Sequence, residues 1–162
     1  MGELARTLVS LSGPQAVHGI IPEALIKYEQ DGASAVDEKL YGRTTVVPDM
    51  HKRKKLMAKS VMEGGPGSGF VALSGGYGTL EELMEIVTWN QLGIHEKGVV
   101  VFNVEGYYHG MMQWVRTAVS AGFIARGNAG ILIEALGAEE VVRQLKEYTV
   151  AEGRLKLDWS QE

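Results

Sequence analysis

The chain has 162 residues, a net charge of −4 and no cysteine. This length suits one domain with a substantial core, and the lack of cysteine excludes a disulfide framework and a thiolate metal site. The acidic balance argues against a general nucleic-acid binder, and no apolar run approaches the roughly 18 residues of a membrane span. We therefore expect a cytoplasmic protein with neither nucleic-acid nor membrane partners.

Hydrophobic periodicity and turn residues divide the chain into alternating elements. In chain order we predict a helix over 1–11, strands over 17–21 and 44–48, a helix over 50–62, a strand over 70–73, a helix over 79–92, a strand over 98–104, a helix over 107–121, a strand over 130–136 and a helix over 138–148. Residues 31–34 and 63–69 read as loops, and the tail over 151–162 is expected to be frayed.

Strands that alternate with helices predict a parallel sheet with helices on both faces, in one doubly wound α/β domain over residues 1–150. Binding sites in such sheets lie beyond the carboxyl ends of the strands. The turn over 74–79 follows the strand predicted at 70–73. This turn is therefore the first candidate for a site.

The turn carries three glycines within four residues, in the stretch SGGYGTLEE. Gly75, Gly76 and Gly78 have no Cβ, so they can adopt positive φ and admit a ligand close to the backbone. Their amides, with those of the following helix, predict an anion-binding concavity. Thr79 adds a hydroxyl that either caps the helix or binds phosphate. A tight turn that binds nothing is the alternative, and the dinucleotide and triphosphate fingerprints are both incomplete here.

A carboxylate follows the glycine turn by one helical turn. On a helical wheel over 79–92, Glu82 falls at the edge between Ile86 and Trp89, whereas Glu81 lies on another face. A half-buried carboxylate at such an edge is costly unless it is paired or used in chemistry. A purely structural carboxylate, favoured by the helix dipole, is the alternative.

The helix over 50–62 is rich in bases. Its wheel predicts a buried side made of Met50, Leu56, Met57 and Val61. It predicts a solvated face made of Lys52, Lys55 and Lys59. Arg53 and Lys54 flank the buried side, where each could merely extend along the surface. We expect Arg53 to point into a cleft beside the strand ends.

Other candidate residues are assigned structural roles. The histidines lack metal-ligand spacing, so we expect solvated or capping roles and no metal site for His18, His51, His95 and His109. Core or dimer packing is favoured for the aromatic residues Trp89, Tyr107, Tyr108 and Trp114.

Two motifs carry a family resemblance. SGGYGTLEE resembles the PGGxGTxxE motif of the LONELY GUY family of cytokinin riboside 5'-monophosphate phosphoribohydrolases, and DMHKRKKLMA resembles its upstream M-x-x-R-K segment. TWNQLGIHEK and NVEGYYHGM also resemble family stretches, so the resemblance covers most of residues 1–150. The family's proline is replaced by Ser74, which frees one backbone φ and adds a hydroxyl.

The resemblance implies a Rossmann-like fold and hydrolysis of the N-glycosidic bond of an N6-substituted AMP, giving the free base and ribose 5-phosphate. It implies no organic cofactor and a homodimer. It assigns the 5'-phosphate to Gly75, Gly76, Gly78 and Thr79, catalysis to the pair Arg53 and Glu82, and further substrate contacts to Met50 and Lys54. A lysine-decarboxylase label also occurs among relatives, but no residue here marks a pyridoxal-phosphate lysine. A non-catalytic nucleotide-binding module of related fold is the alternative.

The amino terminus departs from the family pattern. Members usually begin with a strand, a helix and a strand that ends in a glycine-rich turn before a Met-Gly pair. This chain opens with MGELARTL, which resembles that pair and the helix after it. The resemblance therefore implies that the first βαβ unit is missing from this sequence.

Overall fold

The computed structural model describes residues 1–26 and 36–159, so the loop predicted at 31–34 lies outside the described residues. The chain divides into two compact units, Met1–Lys59 and Ser60–Glu162. Each contains parallel strands accompanied by helices. The predicted α/β, Rossmann-like fold class is confirmed, whereas the single domain over 1–150 stays a prediction.

The first unit pairs two parallel strands. Its elements are α1 (Gly2–Ser12), β1 (His18–Pro22), α2 (Glu38–Tyr41), β2 (Arg43–Val47) and the start of α3 (Met50–Met62). β1 and β2 run parallel, with Ile20 opposite Thr45. Gly42, before β2, has a positive φ of 86°, and a Cβ there would lie 2.9 Å from the Val17 carbonyl oxygen. Only glycine fits this turn.

α3 begins where its sequence predicts. The Asp49 carboxylate accepts a hydrogen bond from the Lys52 N–H at 2.7 Å, as a helix N-cap does. The predicted buried side is wrong for Met50 and Met57, which are 40% and 36% exposed, because the buried position is the small Ala58. A helical wheel weighs every apolar residue alike and cannot tell which part of a stripe is covered. The predicted solvated lysines, Lys52, Lys55 and Lys59, are all exposed.

The second unit holds a three-stranded parallel sheet. Its elements are β3 (Gly69–Ala72), α4 (Tyr77–Gln91), β4 (Gly98–Phe102), α5 (His109–Ser120), β5 (Leu132–Ala135) and α6 (Ala138–Lys146). The strand order is β3-β4-β5, so β4 is hydrogen-bonded on both edges. Its three central valines, 99–101, are completely buried, as a continuously apolar parallel strand requires.

The strand register brings two loops to one edge of this sheet. Ala72 lies opposite Val101, and Phe102 lies opposite Ala135. Because the strands are parallel, the segments that follow β3 and β4 leave the sheet on the same side. The glycine turn and residues 103–108 are therefore neighbours.

His95 corrects the expectation of solvated or capping histidines. Its side chain is buried and packs against Phe70, with ring centroids 5.3 Å apart. Nε2 bonds the Ile86 carbonyl at 2.9 Å, and Nδ1 accepts the Lys97 N–H at 3.1 Å. Both ring nitrogens thus have backbone partners, which histidine spacing along the sequence does not indicate.

We expect His95 to make stability depend on pH. Burial lowers its pKa below the ordinary 6.5, the Ile86 bond opposes this shift, and the charge of Arg154 adds to it. Below pH 6.5 the unfolded chain therefore binds more protons than the folded chain does. The free energy of unfolding consequently decreases as the pH is lowered, by at most about 1.4 kcal/mol per pH unit for one proton.

Urea denaturation between pH 8 and pH 5 measures this dependence. His95→Gln should flatten it, whereas His109→Gln, at an exposed position, should leave it as in the wild type. An equal slope in the wild type and His95→Gln would exclude His95 as its source.

The tail is not frayed over residues 151–159. The Arg154 guanidinium donates to the Asn90 and His95 carbonyl oxygens, each at 2.7 Å. The indole of Trp159 donates to the Leu92 carbonyl at 3.1 Å. Asn90 and Leu92 lie at the carboxyl end of α4 and His95 lies just beyond it, so these bonds dock the tail there.

Candidate functional site

The glycine turn lies at the carboxyl end of β3 and opens α4. Gly76 is the N-cap residue, and the first helical hydrogen bond runs from the Leu80 N–H to the Gly76 carbonyl at 3.1 Å. The N–H groups from Gly76 to Thr79 therefore precede the helical ladder. Ser74, Gly76 and Gly78 are exposed, so this corner is open to a ligand.

The glycines act through the space they leave rather than through positive φ. None of the three belongs to the glycines with positive φ, which corrects that part of the expectation. A Cβ on Gly75 would lie 2.9 Å from the Thr79 Cβ and closer still to its hydroxyl. A Cβ on Gly76 or Gly78 would meet no protein atom within 4 Å. Gly75 thus permits close packing of Thr79, whereas Gly76 and Gly78 leave open space in front of the backbone.

Thr79 is not the helix cap. α4 begins at Tyr77, two residues earlier than predicted, so Thr79 is the third helical residue. Its half-buried side chain lies against Gly75. A phosphate-binding role for Thr79 stays a prediction.

Glu82 lies where the helical wheel predicts. Its side chain is half-buried, whereas that of Glu81 is exposed. Glu82 follows Gly78 by four residues and Thr79 by three, a spacing that puts all three on one face of the helix. The rise from Gly78 to Glu82 is about 6 Å along the axis. The carboxylate therefore stands one turn from the open corner.

The upstream candidates share a face of α3. Met50, Arg53 and Lys54 are spaced at i, i+3 and i+4, which are neighbouring positions on a helix. The Arg53 Nε–H donates to the Ile20 carbonyl of β1 at 3.2 Å. Arg53 and Lys54 are half-buried. The bond to β1 fixes the Arg53 side chain beside a parallel strand, and the catalytic pairing of Arg53 with Glu82 stays a prediction.

Two tyrosines after β4 contact the glycine turn, a role that was not predicted from the sequence. The Tyr107 hydroxyl donates to the Gly75 carbonyl at 2.8 Å, and the Tyr108 hydroxyl donates to the Leu73 carbonyl at 2.5 Å. Tyr108 is buried as predicted, but Tyr107 and Trp114 are 57% and 56% exposed and so do not belong to the core. Their position just after β4, the strand that pairs with β3, is the feature of the sequence that could have indicated this role.

Three further features of the structure bear on the predicted site residues: a cavity, the potential metal ligands and the lengths of the helices. A cavity of about 700 Å³ lies beside Gly93, Arg154 and the tail, and it includes none of the predicted site residues. Among residues 1–26 and 36–159, no group of three His, Asp or Glu side chains could hold a metal ion. Within the same described ranges, every helix is too short or too polar to span a lipid bilayer.

Comparison with known proteins agrees with the motifs. A family model described as possible lysine decarboxylase matches residues 1–145. The chain is 53% identical over 163 residues to a bifunctional cytokinin biosynthesis protein of Fusarium pseudograminearum (strain CS3096), covering 98% of this chain and 34% of that protein.

Plant relatives are also similar to this chain. It is 42% identical over 152 residues to a cytokinin riboside 5'-monophosphate phosphoribohydrolase of Arabidopsis thaliana, covering 93% of this chain and 65% of that protein. A protein with the same description from Oryza sativa subsp. japonica is 42% identical over 147 residues, with coverages of 91% and 55%. The chain thus spans a third to two thirds of the length of these relatives.

The family match extends over most of the chain, and the relatives carry the names that the glycine-turn and upstream motifs predict. The chain therefore belongs to the family described as possible lysine decarboxylases, which is the LONELY GUY family.

Proposed function

We propose that the protein hydrolyses the N-glycosidic bond of a cytokinin riboside 5'-monophosphate, an N6-substituted AMP. The bond between C1' and the base breaks, the hydroxyl of a water molecule adds to C1', and the remaining proton ends on the base. The products are the free base and ribose 5-phosphate. Relatives of this chain are named for this activity, and they support it over the lysine-decarboxylase description.

The open glycine corner is the observation that carries the proposal. Gly76 and Gly78 leave empty space in front of amides at the start of α4, and such amides, with the helix dipole, favour an anion. The 5'-phosphate is the anionic group of the substrate. Binding it at the corner fixes the sugar and lowers the entropic cost of reaching the transition state.

Glu82 is proposed as the residue that acts at C1'. Cleavage of an N-glycoside develops positive charge on the sugar, and a carboxylate stabilises such an oxocarbenium-like state. The same carboxylate can orient the attacking water and accept its proton. The position of Glu82, one turn beyond the corner, supports this role.

Arg53 is proposed as the second catalytic residue, on its match to the family motif. A guanidinium keeps its proton, so it acts by charge, either balancing the phosphate or stabilising the departing base. Met50 and Lys54, on the same helix face, are proposed to contact the substrate. The proposal needs no organic cofactor.

The homodimer and the cytoplasmic location belong to this proposal as well. Trp114 and Phe123 are 56% and 90% exposed, and large exposed aromatic side chains are typical of protein interfaces. Sedimentation velocity tests the dimer, for which a single species of about twice the mass of the 17.6 kDa chain is expected.

Incubation with N6-isopentenyl-AMP tests the activity. Chromatography should detect isopentenyladenine and ribose 5-phosphate in equal amounts, and the riboside without phosphate should react much more slowly. Stabilisation by AMP without any release of base would favour a nucleotide-binding module instead. A folded sample that releases no base at high enzyme concentration contradicts the proposed hydrolase.

A further inference from the structure

The segment after β4 is tied to the turn after β3 through Tyr108. This side chain is 3% exposed, and its hydroxyl donates to the Leu73 carbonyl at 2.5 Å. Burial raises the pKa of the phenol, the neighbouring Tyr107 raises it further, and a backbone hydrogen bond with Gly75 opposes the shift. The phenol therefore remains a protonated donor at neutral pH.

Tyr107 makes a second bond to the same turn from outside the core. Its hydroxyl donates to the Gly75 carbonyl at 2.8 Å, two residues beyond the carbonyl that Tyr108 contacts. The two rings meet edge to face, at 90° and with centroids 5.0 Å apart. Tyr108 thus holds the residue just before the turn, and Tyr107 holds a residue within it.

Tyr108 is itself fixed by a buried amide. Asn103, directly after β4, is 3% exposed, and its Oδ1 accepts the Tyr108 N–H at 2.6 Å. Its Nδ2 donates to the Glu134 carboxylate of β5 at 2.5 Å. A continuous chain of hydrogen bonds therefore links β5, the end of β4 and the glycine turn after β3.

The backbone between Asn103 and Tyr107 is bent to allow these contacts. Glu105 has φ of 50° and Gly106 has φ of 74°, and Glu105 is the non-glycine residue with positive φ among the described residues. Positive φ is unfavourable for a residue with a Cβ, and such strain persists only where the surroundings enforce it. The two tyrosine contacts are part of that enforcement.

We propose that Tyr107 and Tyr108 are positioning residues, which hold the glycine turn in the form that binds the substrate's phosphate and so set the preference for nucleotide over nucleoside. This inference rests on the proposed function of the turn. Neither hydroxyl needs to touch the ligand. Each acts on a carbonyl of the turn, so that the adjoining N–H groups keep their direction.

The direct test measures backbone hydrogen exchange without any ligand. Tyr108→Phe and the double variant Tyr107→Phe/Tyr108→Phe should exchange faster than the wild type over residues 80–83, whose N–H groups form the first helical bonds to residues 76–79. Tyr148→Phe is a matched control, because it removes a phenol that bonds the Asn90 side chain at 3.1 Å and packs at Gly98, at the opposite end of β4. Unchanged exchange over residues 80–83 in both tyrosine variants would overturn the proposal.

Kinetics with two substrates test the consequence for specificity. Tyr108→Phe should raise KM for N6-isopentenyl-AMP about tenfold, because one hydrogen bond that orients the turn is lost. The same variant should leave kcat/KM for the riboside within about twofold of the wild-type value. Tyr148→Phe should alter neither value. A merely destabilised enzyme would instead lose activity on both substrates in proportion.

Binding of ribose 5-phosphate, measured by calorimetry, separates this proposal from the proposed function. One result is that the wild type binds ribose 5-phosphate but releases no base from N6-isopentenyl-AMP, while the tyrosine variants bind ribose 5-phosphate about tenfold more weakly. In that case the positioning role stands and the hydrolase does not. If the wild type cleaves the nucleotide and the variants keep its KM, the hydrolase stands and the positioning role falls.

Discussion

Glu82→Gln is expected to abolish release of the free base from N6-isopentenyl-AMP while leaving nucleotide binding largely intact. The amide is nearly isosteric with the carboxylate, but it neither accepts a proton from water nor carries the negative charge that stabilises the sugar cation. The loss should reach about 10²- to 10⁴-fold in kcat, the range expected for a group in general acid–base catalysis. Single-turnover assays and AMP binding by calorimetry measure the two quantities separately.

Glu81→Gln is the matched control for this experiment. Glu81 is on the same helix, one residue away, exposed and on another helix face, so the same chemical change there should leave kcat within about twofold. Equal losses in the two variants would point to a general effect of charge on α4. Full activity in Glu82→Gln would remove this residue from the mechanism.

Gly76→Ala is expected to weaken phosphate binding with little effect on the fold. The added Cβ meets no protein atom within 4 Å, and φ at Gly76 is −96°, so the folded chain admits alanine. The methyl group would instead occupy the space that the phosphate enters. We expect at least about a tenfold loss of affinity for ribose 5-phosphate, with only a small fall in melting temperature, because alanine is a poorer helix N-cap than glycine.

Alanine substitutions at two other glycines serve as controls for Gly76→Ala. Gly65→Ala also adds a Cβ that meets nothing within 4 Å, and in the loop before β3 it should change neither affinity nor melting temperature. Gly75→Ala should lower both, because its Cβ collides with Thr79. Wild-type affinity in Gly76→Ala would show that no phosphate approaches the turn there.

Local patterns predicted the elements well because each depends on near neighbours. The helix over 50–62 was bounded correctly, and the apolar run after Gly98 formed a buried strand. Glu82 was placed at a half-buried edge by helical periodicity alone. Such features follow from side-chain spacing and capping, which are written in a few consecutive residues.

Contacts between distant segments could not be predicted in this way. His95 was expected in a solvated or capping role but is buried, where it packs against Phe70 and bonds backbone partners. The tail was expected to fray, yet Arg154 and Trp159 dock it on the end of α4. Each outcome depends on backbone groups that only the folded chain brings within reach of these side chains, and the spacing of residues in the sequence does not indicate them.

The sequence by itself determined the α/β class, the family and the position of the glycine turn at the end of a strand, since these follow from local pattern and motif. Only the tertiary structure decided why that turn keeps its shape. Parallel register brings the ends of β3 and β4 to one edge, and there Tyr107 and Tyr108 reach carbonyls more than thirty residues away in the chain. Hydrogen bonds of that kind depend on where the sheet places two loops, and no pattern within either loop specifies the other.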